Sequence, residues 1–420
     1  MMPLLETLKM ILKTFKLAIV LYASFWPMLS CADIGDDELL QRGEYLALAG
    51  NCHSCHTVEK NTFMAGGVPF ETPFGRIYST NITPDMATGI GAWTFEDFAN
   101  SMRQGIRPDG THLYPVFPYT SFAQLIDDDL LAIFTYLKSI PAITQSAPDN
   151  DLSFPFNIRQ FLAIWKYLFL NEYVFEPDDT RPDSWNRGAY LVEALTHCGV
   201  CHSPRNFLGA EKRHSKMAGG AYSDKISGVG YRKWFAPNLT SAPTGLSLWS
   251  HEDTFSYLKT GRNSLVDSFG PMNEVIFNST QHLDDQDLDA IALYLKSLPP
   301  IPVAESQPAD RKTMGMGRTI YNLHCGTCHL PTGLGDPEMA PRLNQGSLVV
   351  QAQNPASLIN VILYGPEEPR PPLPPKWLNP MDEFQYMLDD AEVAALATYI
   401  RNSWNNNAGL VTARQVAKQR

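Results

Sequence analysis

Thr196-His197-Cys198-Gly199-Val200-Cys201-His202-Ser203-Pro204 places two thiols three positions apart and an imidazole directly after the second. Residues at that spacing lie on one face of a helical turn. Both sulfurs can therefore reach the vinyl groups of one porphyrin while the next side chain faces its iron. This is the c-type haem attachment signature, in which the chain holds the ring through thioethers and supplies the proximal ligand. The pattern recurs at Cys52-His53-Ser54-Cys55-His56 and at Cys325-Gly326-Thr327-Cys328-His329. Cys52, Cys55, Cys198, Cys201, Cys325 and Cys328 are the expected attachment points of three haems c, with His56, His202 and His329 on the irons. Zinc sites and thioredoxin-like pairs also use Cys-X-X-Cys. Zinc needs two further ligands per pair, and a redox pair has no use for the histidine.

The bulk numbers bound the rest. A chain of 420 residues, 44% hydrophobic and 18% charged, is globular. Its length suits two to four domains, and the three motifs make three the natural number. The net charge of -11 gives no footprint for a nucleic-acid partner. Six of the seven cysteines sit in the motifs, so no disulfide framework is implied and Cys31 stands alone. Lys9, Lys13 and Lys16 precede the apolar run Leu17 to Trp26, and small Ser30 and Ala32 follow. That layout reads as a secretory signal over residues 1–32, with a lipoprotein signal at Cys31 or a short uncleaved anchor as alternatives. On each reading the body is exported to the periplasm.

An internal repeat organises the remainder. Arg42-Gly43-Glu44-Tyr45-Leu46, Arg187-Gly188-Ala189-Tyr190-Leu191 and Met316-Gly317-Arg318-Thr319-Ile320-Tyr321 each begin a helix that ends at a haem motif. In the first two units Asn81-Ile82-Thr83 and Asn238-Leu239-Thr240 lead to Thr94 and Ser250, expected N-caps followed by acidic residues. Each unit closes on an amphipathic helix, over Asp127 to Ile140, Asp284 to Leu298 and Asp389 to Trp404, which should pack across the haem-bearing helix. The expected units span 33–145, 181–300 and 310–405. Between the first two, within 146–180, Phe154 to Phe175 reads as an insertion helix: an interdomain linker, or a surface for membrane, quinone or a partner subunit. Residues 406–420 read as a polar tail.

Methionine is the common second ligand of a haem c iron. Met272 follows Gly270-Pro271 and Met381 follows Asn379-Pro380, both just before a closing helix, where proline fixes the approach of the chain.

With these parts assembled, the chain resembles the triheme cytochrome c subunits of membrane-bound bacterial dehydrogenases, the group that includes the cytochrome subunits of alcohol, gluconate and fructose dehydrogenases. The resemblance runs from about Gly43 to Thr412 and rests on the three haem motifs, Leu113 to Tyr119, Phe269-Gly270-Pro271-Met272 and Tyr399 to Trp404. It implies Met272 and Met381 as sixth ligands of the second and third irons. It also implies a catalytic partner subunit of flavin, pyrroloquinoline quinone or molybdenum type, electrons passed towards ubiquinone or an oxidase, and a place at the periplasmic face of the inner membrane. One departure stands out: where many relatives read Leu-Tyr-Pro-Ala-Met-Pro-Tyr, this chain has Phe117 at the methionine position. His112, Met102 or an open site then remain for the first iron. The resulting expectation is an all-α protein of three tandem class I-like cytochrome c domains that carries electrons and does no substrate chemistry. A haem enzyme or a sensor acting at an open first site is the alternative.

Overall fold

The computed structural model describes residues 35–302, 307–336, 339–366 and 381–420. The expected signal segment with Cys31, part of the linker after Pro299 and the stretch ending at Pro380 lie outside the described residues.

In the first unit, α1 (Asp36–Ala49) runs into the motif helix α2 (Cys52–His56). A short hairpin follows, β1 (Pro69–Thr72) and β2 (Gly75–Tyr78), then α3 (Phe95–Gln104) and the closing helix α4 (Asp127–Ser139). Thr94 caps α3 as expected: its hydroxyl accepts from Asp97 N, and Asp97 accepts from Thr94 N. In α4, Leu130, Ile133 and Leu137 are buried at helical spacing, each contributing about 1.5–3 kcal/mol. The strand β3 (Asp151–Leu152) then adds to β2, and the insertion forms α5 (Phe161–Phe169).

The second unit repeats the plan with α6 (Asp183–Tyr190), a π-helical turn over Leu191–Leu195 and the motif helix α7 (Gly199–His202). A longer hairpin, β4 (Gly220–Ile226) and β5 (Gly230–Ala236), precedes α8 (His251–Thr260), α9 (Pro271–Asn278) and the closing helix α10 (Asp285–Ser297). Ser250 caps α8 through the same reciprocal bonds with Asp253. The third unit holds α11 (Arg311–His324), α12 (Ala356–Tyr364) and α13 (Asp390–Arg401), after which comes α14 (Ala413–Ala417).

One contact recurs in all three units. A Cβ on Gly43 would stand 2.0 Å from Ala132 O, one on Gly188 1.9 Å from Ala290 O, and one on Gly317 2.1 Å from Ala395 O. Each motif-bearing helix thus crosses its closing helix at a distance that only glycine permits.

Two expectations need correction. The chain is mostly helical rather than all-α: β1–β2–β3 form one antiparallel sheet, and β4–β5 pair from Gly220↔Ala236 to Ile226↔Gly230. The β-rich run Tyr231 to Phe235 and the turn glycines Gly228 and Gly230 are the sequence signals for that hairpin. The 406–420 stretch is not a solvated tail either. Val411 and Val416 are buried, and Gln419 Nε2 donates to Lys233 O at 2.7 Å.

The first and second units interlock by exchange. Buried Asp129 accepts from Arg42 Nε of its own unit at 3.0 Å and from Tyr190 OH of the second unit at 2.6 Å. Asp287 accepts from Arg187 Nε of its own unit at 2.7 Å and from Tyr45 OH of the first unit at 2.7 Å. The third unit meets the second differently, along β5 and the loops beside it. Phe235 N donates to Ser357 Oγ at 2.9 Å, Asn360 Nδ2 to Lys233 O at 2.9 Å, and Trp249 Nε1 to Gly346 O at 2.8 Å.

Candidate haem sites

Each motif is entered by a turn. Asn51 and His197, the residues before Cys52 and Cys198, both have left-handed backbone, φ 52° and 41°. His197 Nε2 lies 3.3 Å from Gly50 O, which brings the first two motifs side by side. In the third unit α11 ends at His324 and the motif itself is a turn, closed by His329 N donating to Cys325 O at 2.9 Å.

The three motif histidines are held alike. His56 Nδ1 lies 2.7 Å from Thr80 O, His202 Nδ1 2.7 Å from Pro237 O and His329 Nδ1 2.9 Å from Pro341 O. A carbonyl only accepts, so Nδ1 carries the hydrogen and Nε2 keeps its lone pair for a metal. Burial lowers the pKa of each imidazole, and the carbonyl bond opposes that shift. All three are thus poised as neutral ligands, the form that binds iron.

The clasp depends on loops whose purpose the sequence did not reveal. Asn81 Oδ1 accepts from Thr83 N and Asn238 Oδ1 from Thr240 N, turns that fix the carbonyl just ahead of each asparagine. Opposite them, His56 O accepts from Gly66 N and His202 O from Gly219 N, next to Met64 and Met217 in left-handed conformation. A second repeat, Met64-Ala65-Gly66-Gly67 and Met217-Ala218-Gly219-Gly220, was the signal that could have found this loop.

The thiols fit covalent attachment better than redox cycling. Burial pushes Cys52 up to about 11 and Cys55, Cys201 and Cys325 up to about 12, with Cys198 also raised. Reactive dithiols have lowered values. Among the described residues no group of three or more His, Cys, Asp or Glu is placed to hold a metal ion, so the additional zinc ligands are missing.

All six thiols and the three imidazoles line one largely apolar cavity of about 2000 Å³. A single small-molecule site occupies roughly 300–1,000 Å³, so this space suits several large ligands. The cavity also presents two buried nitrogens without a hydrogen-bond partner, Arg107 Nε and Trp234 Nε1, donors suited to carboxylates carried on a flat apolar ring. The residues present fit haem.

Met272 and Met381 both line the cavity. Met272 follows Gly270, whose φ is +57° and whose Cβ would stand 2.6 Å from the Trp234 ring, so glycine and proline together set the path of the methionine. Phe117 and buried Met102 line the cavity too. His112 does not belong to that lining: its Nδ1 is 2.8 Å from Lys166 Nζ, and its carbonyl accepts from Arg159. Of the three alternatives for the first iron, the structure brings Met102 to the cavity and turns His112 to α5. Counted from the caps Thr94 and Ser250, Met102 matches Leu258, which also lines the cavity.

The fold and these sites define a class. The cytochrome c family profile matches residues 40–141, 186–299 and 316–404, more than half of the chain, and the chain belongs to that family. As such it binds haem c covalently. Over 92% of its length it is 38% identical to the cytochrome c subunit of alcohol dehydrogenase (quinone) of Gluconacetobacter polyoxogenes, 85% of which is covered. It is 38% identical to the gluconate 2-dehydrogenase cytochrome c subunit of Pantoea cypripedii, over 92% of the chain and 91% of the relative. The fructose dehydrogenase cytochrome subunit of Gluconobacter japonicus is 36% identical, over 91% and 82%. Within the family the chain thus groups with dehydrogenase cytochrome subunits, whose work is electron transfer. Among the described residues no helix is long and apolar enough to cross a membrane.

Proposed function

We propose that the chain is a triheme electron carrier built of three tandem class I-like cytochrome c domains. It takes electrons from a catalytic dehydrogenase subunit of flavin, pyrroloquinoline quinone or molybdenum type. It delivers them to ubiquinone or a terminal oxidase at the periplasmic face of the inner membrane. The observation that carries this reading is the threefold clasp, in which three motif histidines present an unprotonated Nε2 to one shared apolar cavity.

The residues divide the work. Cys52, Cys55, Cys198, Cys201, Cys325 and Cys328 tether the rings, and His56, His202 and His329 bind the irons. Met272 and Met381 complete the second and third sites, where a thioether favours the reduced metal. The bound haem supplies one-electron chemistry. Arg107 and Trp234 orient its carboxylates, and the apolar walls exclude water. At the first site Phe117 offers no lone pair and Met102 stands where the second unit has Leu258, so Met102 is wall and the first iron lacks a methionine.

Three measurements test this. A pyridine haemochrome assay on acid-washed, fully matured protein should give three haems per chain, and two or fewer ends the triheme reading. Low-temperature EPR should show one signal distinct from two Met/His haems, moving towards them in Phe117→Met. Three like signals would return the ligand role to Met102. Purified alone, the protein should accept electrons from dithionite but not from alcohols, sugars or aldehydes. Substrate oxidation without a second subunit would favour the enzyme alternative.

A further inference from the structure

Helix α5 is inverted for a water-facing helix. Its single charged side chain, Lys166, is buried and donates from Nζ to Gln104 O at 2.7 Å, Gly105 O at 2.8 Å and His112 Nδ1 at 2.8 Å. Its outward side chains are Phe161, Ile164, Tyr167 and Leu168, spaced as one stripe and 51%, 60%, 86% and 53% exposed. Phe207, also exposed, lies on a loop held to the helix by Trp165 Nε1 donating to Leu208 O at 2.9 Å, and Phe154, seven residues before the helix, is exposed as well. Phe161, Ile164, Leu168 and Phe207 also border the haem cavity, whereas Phe154 and Tyr167 do not. These two rings stand outside the cavity lining.

We infer that α5, with Phe154, lies in the headgroup–acyl boundary of a bilayer containing anionic lipid. This places the membrane contact of the carrier proposed above and rests on that reading. A helix that hides its charge and shows aromatic and aliphatic groups is solvated by an apolar medium. At nine residues it is about 13 Å long, far short of the roughly 30 Å hydrocarbon core, so it lies along the surface. A non-obligate protein interface carries about as much polar area as any surface and a polar rim. The outward stripe of α5 offers only the Tyr167 hydroxyl, a group at home at the membrane–water boundary. The edge carries more positive than negative charge. Lys212, Arg213 and His214 are exposed, against exposed Glu172, and Arg213 Nη2 bonds Phe169 O and Asn171 Oδ1 at the end of α5. In a chain of net charge -11, this local cluster matches anionic headgroups.

The test uses the full haem-loaded chain with a nitroxide at Tyr167→Cys, and a second preparation labelled at exposed Tyr386→Cys in the third unit. With vesicles of equal parts phosphatidylglycerol and phosphatidylcholine, the label at 167 should become several-fold more accessible to oxygen than to a water-soluble nickel complex. The label at 386 should not change. Lys212→Ser/Arg213→Ser should weaken vesicle binding roughly tenfold or more and remove the preference over pure phosphatidylcholine. The inference is overturned if the chain does not bind vesicles, or if it binds while position 167 stays open to nickel. It is equally overturned if only the catalytic subunit, and no lipid, protects that position. Haem content and chemical reduction, measured on the same samples, report on the carrier reading separately.

Discussion

The joint between the first and second units and the joint between the second and third are built on different principles. In the first, each unit lends a tyrosine hydroxyl to the other's buried aspartate, so Asp129 and Asp287 are satisfied only when both partners are present. In the second, no such tyrosine–aspartate exchange occurs among the described residues: β5 and its neighbouring loops meet α12 and Gly346 through bonds that each pair a side chain with a main-chain group, and Gln419 Nε2 donates to Lys233 O. The arginines explain why. Arg42 and Arg187 precede the crossing glycines of the first two units, whereas Met316 precedes Gly317 in the third, and Glu392, at the position of Asp129 and Asp287, accepts from Asp389 N as part of a helix cap instead. A repeat can conserve its internal packing while its outward bonds diverge, so the first two units should behave as one body and the third as an attachment.

The largest test of that contrast is Asp129→Ala. It leaves the Arg42 guanidinium and the buried Tyr190 hydroxyl without their acceptor, and removing one partner of a buried pair costs about 3–5 kcal/mol. Urea unfolding should show a loss of that size in the transition of the first and second units, with the third-unit transition in place. One shared shift across all transitions would break the comparison. Next come Gly188→Ala and Gly317→Ala, which drive a methyl into a backbone carbonyl. Overpacking of this kind costs about 1–3 kcal/mol. Gly188→Ala should lower haem occupancy at both Cys198/Cys201 and Cys52/Cys55, while Gly317→Ala should affect Cys325/Cys328 alone. Peptide mapping of haem content separates the two outcomes.

Smaller still is Trp249→Phe, which removes the bond to Gly346 O and should cost about 0.5–1.5 kcal/mol. Limited proteolysis should then release the third unit sooner, and unchanged cutting would mean that this bond does not secure the joint. A pH effect lies at α5, beside the first unit. Burial lowers Lys166 from 10.5 to about 8, so between these values the unfolded chain holds the proton that the folded chain has given up. Stability from this group therefore rises as pH climbs through that window. The rise should vanish in Lys166→Met, as thermal melts at pH 7.5 and 10 would show.

What the sequence disclosed were features carried by neighbours along the chain. The caps Thr94 and Ser250, the closing helices and the placement of Met272 at the cavity all follow from residues within a few positions of one another. The clasp was hidden because a carbonyl has no side-chain signature: nothing marks Thr80, Pro237 or Pro341 as partners of histidines except the loop that folds over them. The hairpin β4–β5 was obscured by the helical content around it, and the burial of Val411 and Val416 by the polar residues between them. The Tyr–Asp exchange joins residues 61 and 242 positions apart, beyond any local pattern.

The clasp also sets an order of events. His56 waits for a carbonyl 24 residues downstream, His202 for one 35 residues downstream and His329 for one only 12 away. Closing a loop costs more entropy the longer the loop is. Until its loop closes, the imidazole turns freely and the motif is an open, pliable segment. Once the carbonyl arrives, the ring is locked. The third motif closes the shortest loop and has the briefest opening in which to meet its porphyrin, so a shortage of porphyrin should leave that site empty first.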